Sequence, residues 1–398
     1  MRTDTPHVLI TGGTGILGSW LVAGAVRRGY RPVVLLRDAT EAAARERLRA
    51  VLDVAGDAGM AHEVEVLLGD VQRPRFGLSI RESEALRARL AGVVHSAAST
   101  SFSPRKDALL RATNVDAVRG LVEWLTGSGV PLYHVSTAYT AGTSQGTVHE
   151  SDLPHHVPVK NTYEATKREA EDLIQQSCAA GRLRASIFRP SIIVGARSDG
   201  RISQFLNFYT ILRFVDLLAH GAAPRVRLQG NPASTLNVVP VDWVAEALWQ
   251  IIEREGATGD TYHLTHPQPP TQAEVTAWAA RRLLGAAHFA FVSHLEGAIE
   301  PAELYANHVM QRYRNYLADE PQFDQRNTLR ALGGALPLAR FDDIYFDALL
   351  DYALGRKWHG AFAGDMRRLT FDATLAQAAD PTPLQRPLTL GEPMRAAV

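Results

Sequence analysis

The sequence predicts an α/β protein built on a doubly wound parallel sheet, with a smaller, mostly helical subdomain toward the C-terminal end. Short β-branched runs alternate with longer helical segments through the first half, which is the pattern of βαβ units. A glycine cluster directly follows the first run. The 398 residues, 46% of them hydrophobic and 8% aromatic, indicate a globular protein of one large or two ordinary domains.

The predicted strands are short apolar runs that end at Gly, Asp, Ser or Pro residues. In chain order they are residues 7–10, 32–36, 64–68, 92–95, 132–135, 185–188, 236–240 and 261–264. An amphipathic helix over residues 241–253 separates the last two strands. We therefore expect the sheet to include strands from well beyond residue 200.

Two regions interrupt this alternation and predict a substrate-facing subdomain. Residues 197–233 are apolar and aromatic and then polar, and a proline-rich turn at 267–270 leads into a helix capped by Thr271. We predict a sheet domain of residues 1–196 plus 234–266, and a substrate subdomain of 197–233 plus 267–371. Residues 372–398 are predicted to form a C-terminal extension.

Charge and cysteine content exclude several classes of protein. The 42 basic and 42 acidic residues give a formal charge of zero, which argues against a nucleic-acid or acidic-membrane partner. A lone cysteine, Cys178, excludes a disulfide framework and is expected to be buried at a helix exit. Adjacent His155 and His156 are interpreted as surface residues, so we expect no metal. We expect a cytoplasmic protein without a membrane span.

The first strand, glycine turn and following helix predict a Rossmann-type dinucleotide site. Glycines let the backbone approach a pyrophosphate, and free N–H groups at the helix start stabilise its charge. A plain strand-to-helix turn is the alternative. The predicted cofactor-binding residues of the turn are Thr11, Gly12, Gly13, Thr14, Gly15, Ile16, Leu17 and Gly18.

The end of the second strand favours NADPH over NADH. An acidic residue there would bind the ribose 2′-hydroxyl, whereas an arginine would pair with a 2′-phosphate. Arg37 stands at the strand end and Asp38 follows it. A solvated surface charge is the alternative interpretation of Arg37.

Two further strand ends are predicted to contact the cofactor, because ligands bind at the carboxyl ends of parallel strands. Asp70 and Val71 follow the third strand and are placed to hold the adenine edge. Ser96, Ala97 and Ala98 follow the fourth strand, where small residues allow the backbone to pass close to the cofactor.

Tyr163 and Lys167 form the candidate catalytic pair. Their spacing of four residues places both on one face of a helix. A nearby cation favours phenolate, so we expect Lys167 to lower the pKa of Tyr163. Ser136 and Thr137 would present a hydroxyl at the same sheet edge. A surface tyrosine packed on a lysine stem is the alternative.

Together these motifs resemble the extended short-chain dehydrogenase/reductases. The resemblance covers about residues 7–275 and rests on Thr-Gly-Gly-Thr-Gly-Ile-Leu-Gly from Thr11, Val-Ser-Thr-Ala-Tyr from Val135, Tyr-x-x-x-Lys from Tyr163 and Arg-Pro-Ser-Ile-Ile-Val-Gly from Arg189. Within that superfamily the chain is most similar to the thioester reductase branch. This branch includes the reductase domains of carboxylic acid reductases and nonribosomal peptide synthetases, and the male-sterility type fatty acyl-CoA reductases.

The resemblance implies a catalytic triad of Thr137, Tyr163 and Lys167, with neighbouring Ser136 as an alternative to Thr137. It implies that Pro190, Ser191 and Ile192 line the nicotinamide. The implied reaction is NADPH-dependent reduction of an acyl thioester, bound to CoA or a carrier protein, to an aldehyde or alcohol. The alternatives are a ketone/alcohol dehydrogenase, a nucleotide-sugar epimerase or dehydratase, and a non-catalytic NADP-binding protein.

The substrate region has two open interpretations. Ile202, Phe205, Tyr209 and Leu212 follow helical spacing, which fits either a tunnel for an acyl chain or a core-facing helix. Residues 289–368 do not match the C-terminal portion of the related reductases, so the resemblance does not assign that segment a role.

Overall fold

The computed structural model describes residues 5–219, 225–284, 288–299 and 301–360, and the predicted extension lies outside them. Its strands are short and most begin within two residues of a predicted one. They are β1 (His7–Thr11), β2 (Arg31–Leu36), β3 (Glu65–Leu68), β4 (Leu90–His95), β5 (Leu132–Val135), β6 (Thr147–Val148), β7 (Ala185–Pro190), β8 (Ile192–Val194), β9 (Arg225–Gln229), β10 (Val238–Pro240), β11 (Thr261–Leu264), β12 (His288–Val292) and β13 (Gln322–Phe323).

Helices fill the intervals between the strands and dominate the C-terminal part of the described chain. They are α1 (Ile16–Arg27), α2 (Glu41–Val54), α3 (Ile80–Arg89), α4 (Asp107–Arg111), α5 (Ala117–Leu125), α6 (Thr162–Ala179), α7 (Phe208–Ala219), α8 (Val241–Glu255), α9 (Gln272–Ala279), α10 (Pro301–Met310), α11 (Arg314–Ala318), α12 (Arg326–Leu332) and α13 (Asp343–Gly355).

The main sheet confirms the predicted fold class. Its strand order is β11-β7-β5-β4-β1-β2-β3, and every neighbouring pair is parallel. The chain winds outward in both directions from β1, so the strand order reverses between β1 and β4. Ligands of such sheets bind at that reversal, outside the carboxyl ends of the strands.

Alternating apolar residues within the strands place helices on both faces of the sheet. Val8 and Ile10 of β1 pack with α1, α2 and α8, whereas Leu9 between them packs with α3, α5 and α6. A period of two in the buried side chains therefore produces the doubly wound arrangement.

One of the two late strands joins the main sheet and the other does not. β11 pairs with β7, as expected of a strand recruited from beyond residue 200. β10 is shorter than the predicted 236–240 and pairs with β8 in a separate two-stranded sheet. An apolar run predicts a strand, but it carries no information on which partner completes its hydrogen bonds.

The helix in the substrate region begins later than the helical spacing from Ile202 predicted. Helix α7 begins at Phe208, because Asn207 has a φ of 50°, in the left-handed region that interrupts a right-handed helix. Ile202, Tyr209 and Leu212 are buried in one apolar cluster with side chains of α13. The structure therefore supports the core interpretation of these residues.

The last third packs against both halves of the chain. Thr271 caps α9, as the sequence predicted, and it also forms a capping box with Glu274. β12 pairs with β9 and β13 pairs with β6, all in parallel. These pairings bring the segment that follows α11 next to the loop that precedes α6.

Candidate active site

The glycine turn between β1 and α1 is built so tightly that side chains are excluded. Gly12 has a φ of +71°, and a Cβ on it would lie 2.6 Å from the backbone nitrogen of Ala97. A Cβ on Gly18 would lie 1.9 Å from the carbonyl oxygen of Gly12. The backbone N–H of Gly15 donates to that same oxygen at 2.8 Å. Only glycine fits these positions.

This turn fits a dinucleotide cofactor. Within the described part of the chain, no side chain caps the first turn of α1, where Gly15 is the N-cap. Free N–H groups at a helix start, reached by a backbone without side chains, favour an anion such as a pyrophosphate. Thr14, Ile16 and Leu17 lie in this segment as predicted, and a Cβ on Gly13 would collide with Val34 at 2.5 Å.

The charged residues beside the turn have different partners. Asp38 forms an ion pair with Arg47, whose guanidinium lies 2.8 Å from Oδ2 of Asp38. Arg37 is 64% exposed and lies 3.9 Å from Asp70. The carboxylate of Asp70 also accepts the N–H of Gln72 at 2.9 Å, and Val71 follows in the same loop. Arg37 is therefore an exposed cation at the end of β2, with Asp70 as its ion-pair partner.

The loop after β4 packs directly on the glycine turn. The N–H of Ser96 donates to the carbonyl of Thr11 at 3.2 Å, and the N–H of Ala97 reaches the Thr11 hydroxyl at 3.4 Å. Ala98 continues this loop. The structure thus brings the predicted loop and the predicted turn together at the reversal of strand order.

Thr137, rather than Ser136, reaches the candidate proton donor. The side chain of Thr137 lies beside the Tyr163 hydroxyl and lowers its pKa. The hydroxyl of Thr137 also lies 3.5 Å from the carbonyl of Pro190. The Ser136 hydroxyl is buried and finds no hydrogen-bond partner among the residues that the structure describes. This geometry favours Thr137 as the hydroxyl that acts with Tyr163.

The Tyr163 pKa was expected to be lowered by Lys167, but it is raised, and Lys167 is not among the groups that shift it. Burial raises the pKa of Tyr163, and the Thr137 side chain only partly offsets that rise. Removing the phenol from water disfavours the phenolate more than nearby groups stabilise it. Tyr163 is therefore held as a protonated phenol.

Lys167 is buried beneath the site and is bound by β5. Its ammonium donates to the carbonyl of Val135 at 2.7 Å and lies 3.3 Å from Nε2 of His134. Burial lowers the pKa of Lys167 to about 8, although Glu171 one turn later opposes this shift. The lysine remains charged at neutral pH.

Two buried histidines beneath Lys167 were not anticipated from the sequence. His95 and His134 stack with ring centroids 5.4 Å apart, and Nδ1 of His95 lies 2.8 Å from the Thr11 hydroxyl. Burial, followed by the charge of Lys167, lowers the pKa of His95 to about 3 and that of His134 well below its ordinary value. Both imidazoles are neutral and connect the glycine turn to Lys167. The sequence signal that could have predicted their contact is their position on two adjacent parallel strands, β4 and β5.

Pro190, Ser191 and Ile192 lie at the carboxyl end of β7. The N–H of Ser191 donates to Leu264 at 3.2 Å, and that of Ile192 donates to Asn237 at 3.2 Å. The segment is fixed from below by Arg189, whose buried guanidinium donates to Glu171 of α6 at 2.6 Å. This buried pair ties β7 to the helix that carries Tyr163 and Lys167.

A cluster of two aromatic side chains and one lysine beside Tyr163 was also not predicted from the sequence. Phe102, from the loop after β4, lies 6.1 Å from the Tyr163 ring and 5.6 Å from the Tyr316 ring. Lys160 lies 4.7 Å over the Tyr316 ring. Tyr316 belongs to α11, in the segment to which the sequence assigned no role.

The remaining sequence predictions concern residues away from this site. Cys178 lies in the last turn of α6, at the predicted helix exit, but it is half-buried rather than buried, and this burial raises the pKa of its thiol. His155 and His156 are exposed, as expected, and His155 lies 3.1 Å from Asp172. None of the described helices has the length and hydropathy to cross a membrane.

The fold and the site define the extended short-chain dehydrogenase/reductase class: a parallel sheet, a glycine turn at its reversal, and Thr137 beside Tyr163 at the same edge. Residues 10–248 match the NAD-binding family described as "Male sterility protein". Since the match covers more than half of the chain, the protein belongs to this family. The predicted resemblance to the thioester reductase branch is confirmed.

Known relatives and solved structures agree with this family assignment. The nonribosomal peptide synthetase FrzA of a Cladobotryum species is 28% identical over 289 residues, which are 68% of this chain and 27% of that protein. The terminal R domain of the myxalamid PKS-NRPS pathway has a TM-score of 0.74 at 24% identity, covering 90% of this chain and 92% of that one. The reductase (R) domain of a Mycobacterium tuberculosis nonribosomal peptide synthetase has a TM-score of 0.65 at 20% identity, covering 89% and 93%. The two structures show a shared fold. Because the matches cover 90% and 89% of this chain, they extend into residues 289–368, and the prediction that this segment does not match the related reductases is wrong for the fold.

Proposed function

We propose that the protein uses NADPH to reduce an acyl thioester to an aldehyde. The observation that carries the proposal is the position of Thr137 beside Tyr163, at the same sheet edge as the glycine turn. Membership of the male sterility protein family supports it. The similar R domains and the relative FrzA belong to peptide synthetases, which supports a thioester as the substrate.

The charges at the end of β2 support NADPH over NADH. Arg37 is exposed at the carboxyl end of the strand, where a 2′-phosphate would be placed by the fold. Asp38, the residue that could instead accept the 2′-hydroxyl, is engaged by Arg47. An arginine can hold a phosphate with two parallel hydrogen bonds.

The chemistry divides between the cofactor and the side chains. When bound, NADPH would supply the hydride that reduces the carbonyl carbon. Tyr163 donates its proton to the carbonyl oxygen, and the Thr137 hydroxyl donates a hydrogen bond to the same oxygen. Because burial raises the pKa of Tyr163, the phenol carries its proton at neutral pH.

Two steps complete the proposed reaction: Lys167 compensates the charge left on Tyr163, and the reduced substrate releases its thiol. The ammonium of Lys167 would hold the ribose hydroxyls of bound NADPH and would compensate the negative charge that develops on Tyr163. The resulting hemithioacetal collapses: the carbon–sulfur bond breaks, the thiol leaves with the hydroxyl proton, and an aldehyde forms. This sequence needs no enzyme nucleophile, so Cys178 has no catalytic role in it.

The thioester is proposed to come from acyl-CoA or from a carrier protein. A panel assay separates the possibilities: purified protein is mixed with NADPH and acyl-CoAs, carrier-bound acyl groups, ketones or UDP-sugars, while NADPH oxidation is followed and aldehydes are trapped. We expect NADPH oxidation and trapped aldehyde with thioesters. Turnover of ketones or UDP-sugars without thioester turnover would contradict the proposal.

A further inference from the structure

A short C-terminal segment, residues 313–320, contacts the start of the helix that carries Tyr163. The Tyr316 hydroxyl donates to Oε1 of Glu164 at 2.6 Å, and the Asn161 side-chain amide donates to that hydroxyl at 2.8 Å. Tyr316 therefore bridges the N-cap of α6 and the third residue of its first turn. It lies beyond the residues 10–248 that match the family.

Both partners of Tyr316 hold the first turn of α6 in place. The side-chain oxygen of Asn161 accepts the N–H of Glu164 at 3.0 Å, which caps the helix. The second carboxylate oxygen of Glu164, a fully buried residue, accepts the N–H of Lys160 at 2.7 Å. The Tyr316 hydroxyl closes this set of hydrogen bonds around Tyr163, the residue directly before Glu164.

The ring of Tyr316 makes separate contacts. It stacks on Phe102 at 5.6 Å, and Phe102 also contacts Tyr163. The Lys160 ammonium lies 4.7 Å over the Tyr316 ring and finds no hydrogen-bond partner in the described part of the chain. Removing the whole ring would uncover a buried cation, whereas removing only the hydroxyl leaves this packing intact.

The segment is anchored on its other side to α9, to the loop after β9 and to the loop after β5. Gln272 of α9 donates to the carbonyl of Tyr316 at 3.0 Å, and the N–H of Asn231 donates to that of Leu317 at 2.8 Å. The carboxylate of Glu320 accepts the Tyr139 hydroxyl at 2.7 Å. The segment thus connects α9 and the loop after β9 to the helix that carries the proton donor.

We propose that Tyr316 is a positioning residue for the reaction: its hydroxyl, through Glu164 and Asn161, holds the first turn of α6 so that Tyr163 points at the substrate carbonyl. The inference rests on the proposed function, because it assigns Tyr163 the role of proton donor. Residues 313–320 thus have a role in turnover and none in the affinity for NADPH.

Tyr316→Phe tests the hydroxyl alone. Tyr262→Phe is the matched control, because Tyr262 is buried, stacks on Phe188 at 5.4 Å and has a hydroxyl 3.3 Å from that of Thr258, at the opposite end of the strands. We expect Tyr316→Phe to lower kcat about 10-fold with the thioester KM and the NADPH Kd unchanged. Tyr262→Phe should leave all three unchanged. Equal kcat values for both variants and the wild type would overturn the proposal.

Hydrogen exchange gives a second measurement that does not need turnover. The amides of residues 164–167 should exchange about 10-fold faster in Tyr316→Phe than in the wild type, and at the wild-type rate in Tyr262→Phe. Unchanged exchange at these amides would overturn the role of Tyr316. A wild type that binds NADPH but reduces no thioester would overturn the proposed function, and the exchange rates would still test the contact.

Discussion

At the scale of single residues, the proposed reaction depends most directly on the Tyr163 hydroxyl. Tyr163→Phe removes the proton donor and keeps the ring in contact with Phe102. We expect kcat to fall about 10²–10⁴-fold, the contribution of a positioned general acid, with an unchanged NADPH Kd. Steady-state kinetics and a fluorescence titration check both quantities. Wild-type turnover by the variant would refute the assignment.

The buried ammonium of Lys167 predicts a pH dependence of cofactor binding. Burial lowers its pKa to about 8, so the amine loses its proton, and its charge, as pH rises through that value. We expect the NADPH Kd to increase about 10-fold from about pH 7 to about pH 9.5, because a neutral amine binds the ribose hydroxyls more weakly. Fluorescence titration at each pH measures this change.

Lys167→Arg provides the comparison for that pH series, because a guanidinium stays charged throughout the range. The variant should bind NADPH more weakly than the wild type at every pH, and its NADPH Kd should stay constant across the series. A rise of the same size in both proteins would assign the pH dependence to another group.

Arg37 is the residue on which the choice of NADPH depends. Arg37→Ser should weaken NADPH binding about 10- to 100-fold and leave NADH binding unchanged, since only NADPH carries the 2′-phosphate. Arg45→Ser is the control, because Arg45 is a similarly exposed arginine paired with Glu41 at 2.7 Å on α2. Parallel titrations with both cofactors measure the effect, and equal losses for NADPH and NADH would contradict this role.

At the scale of the elements, the fit between β1 and α1 is the most restrictive feature. In Gly18→Ala the new Cβ would lie 1.9 Å from the carbonyl oxygen of Gly12, so α1 must move away from the turn. We expect about 2 kcal/mol of lost stability and at least a 10-fold weaker NADPH Kd. Urea unfolding and a binding titration measure the two effects.

Gly120→Ala is the matched control for Gly18→Ala. Gly120 lies in α5, and a Cβ there meets no described atom within 4 Å. Alanine should stabilise the protein by about 0.5–1 kcal/mol through its higher helix propensity, without a change in NADPH affinity. A similar loss of stability in both variants would show that the close approach at Gly18 is not the cause.

At the scale of the whole molecule, the sequence predicts the order of elements well because their patterns are local. The period of two in β1 and the helix cap at Thr271 are each contained within a few residues. The partner of β10 and the start of α7 were not predictable in this way. The first depends on a strand more than 40 residues away, β8, and the second on the backbone conformation of Asn207. The proposed division into two domains stays a prediction.

The candidate site likewise has features that the sequence predicts and features that depend on tertiary contacts. The spacing of Tyr163 and Lys167 and the position of Thr137 after β5 are sequence signals, and the structure brings all three to one edge of the sheet. The direction of the Tyr163 pKa shift was wrong because burial, a tertiary property that the spacing of two residues does not reveal, sets it. Tyr316 was missed because 152 residues separate it from Glu164.

The most direct test of thioester reduction is the stoichiometry of a single reaction mixture. Wild-type protein is incubated with NADPH and an acyl thioester, and oxidised cofactor, released thiol and trapped aldehyde are measured together, with Tyr163→Phe in parallel. Equal amounts of the three products with the wild type, and almost none with the variant, are the predicted result. Thiol released without NADPH oxidation, or NADPH oxidised without thiol release, would contradict the proposed function.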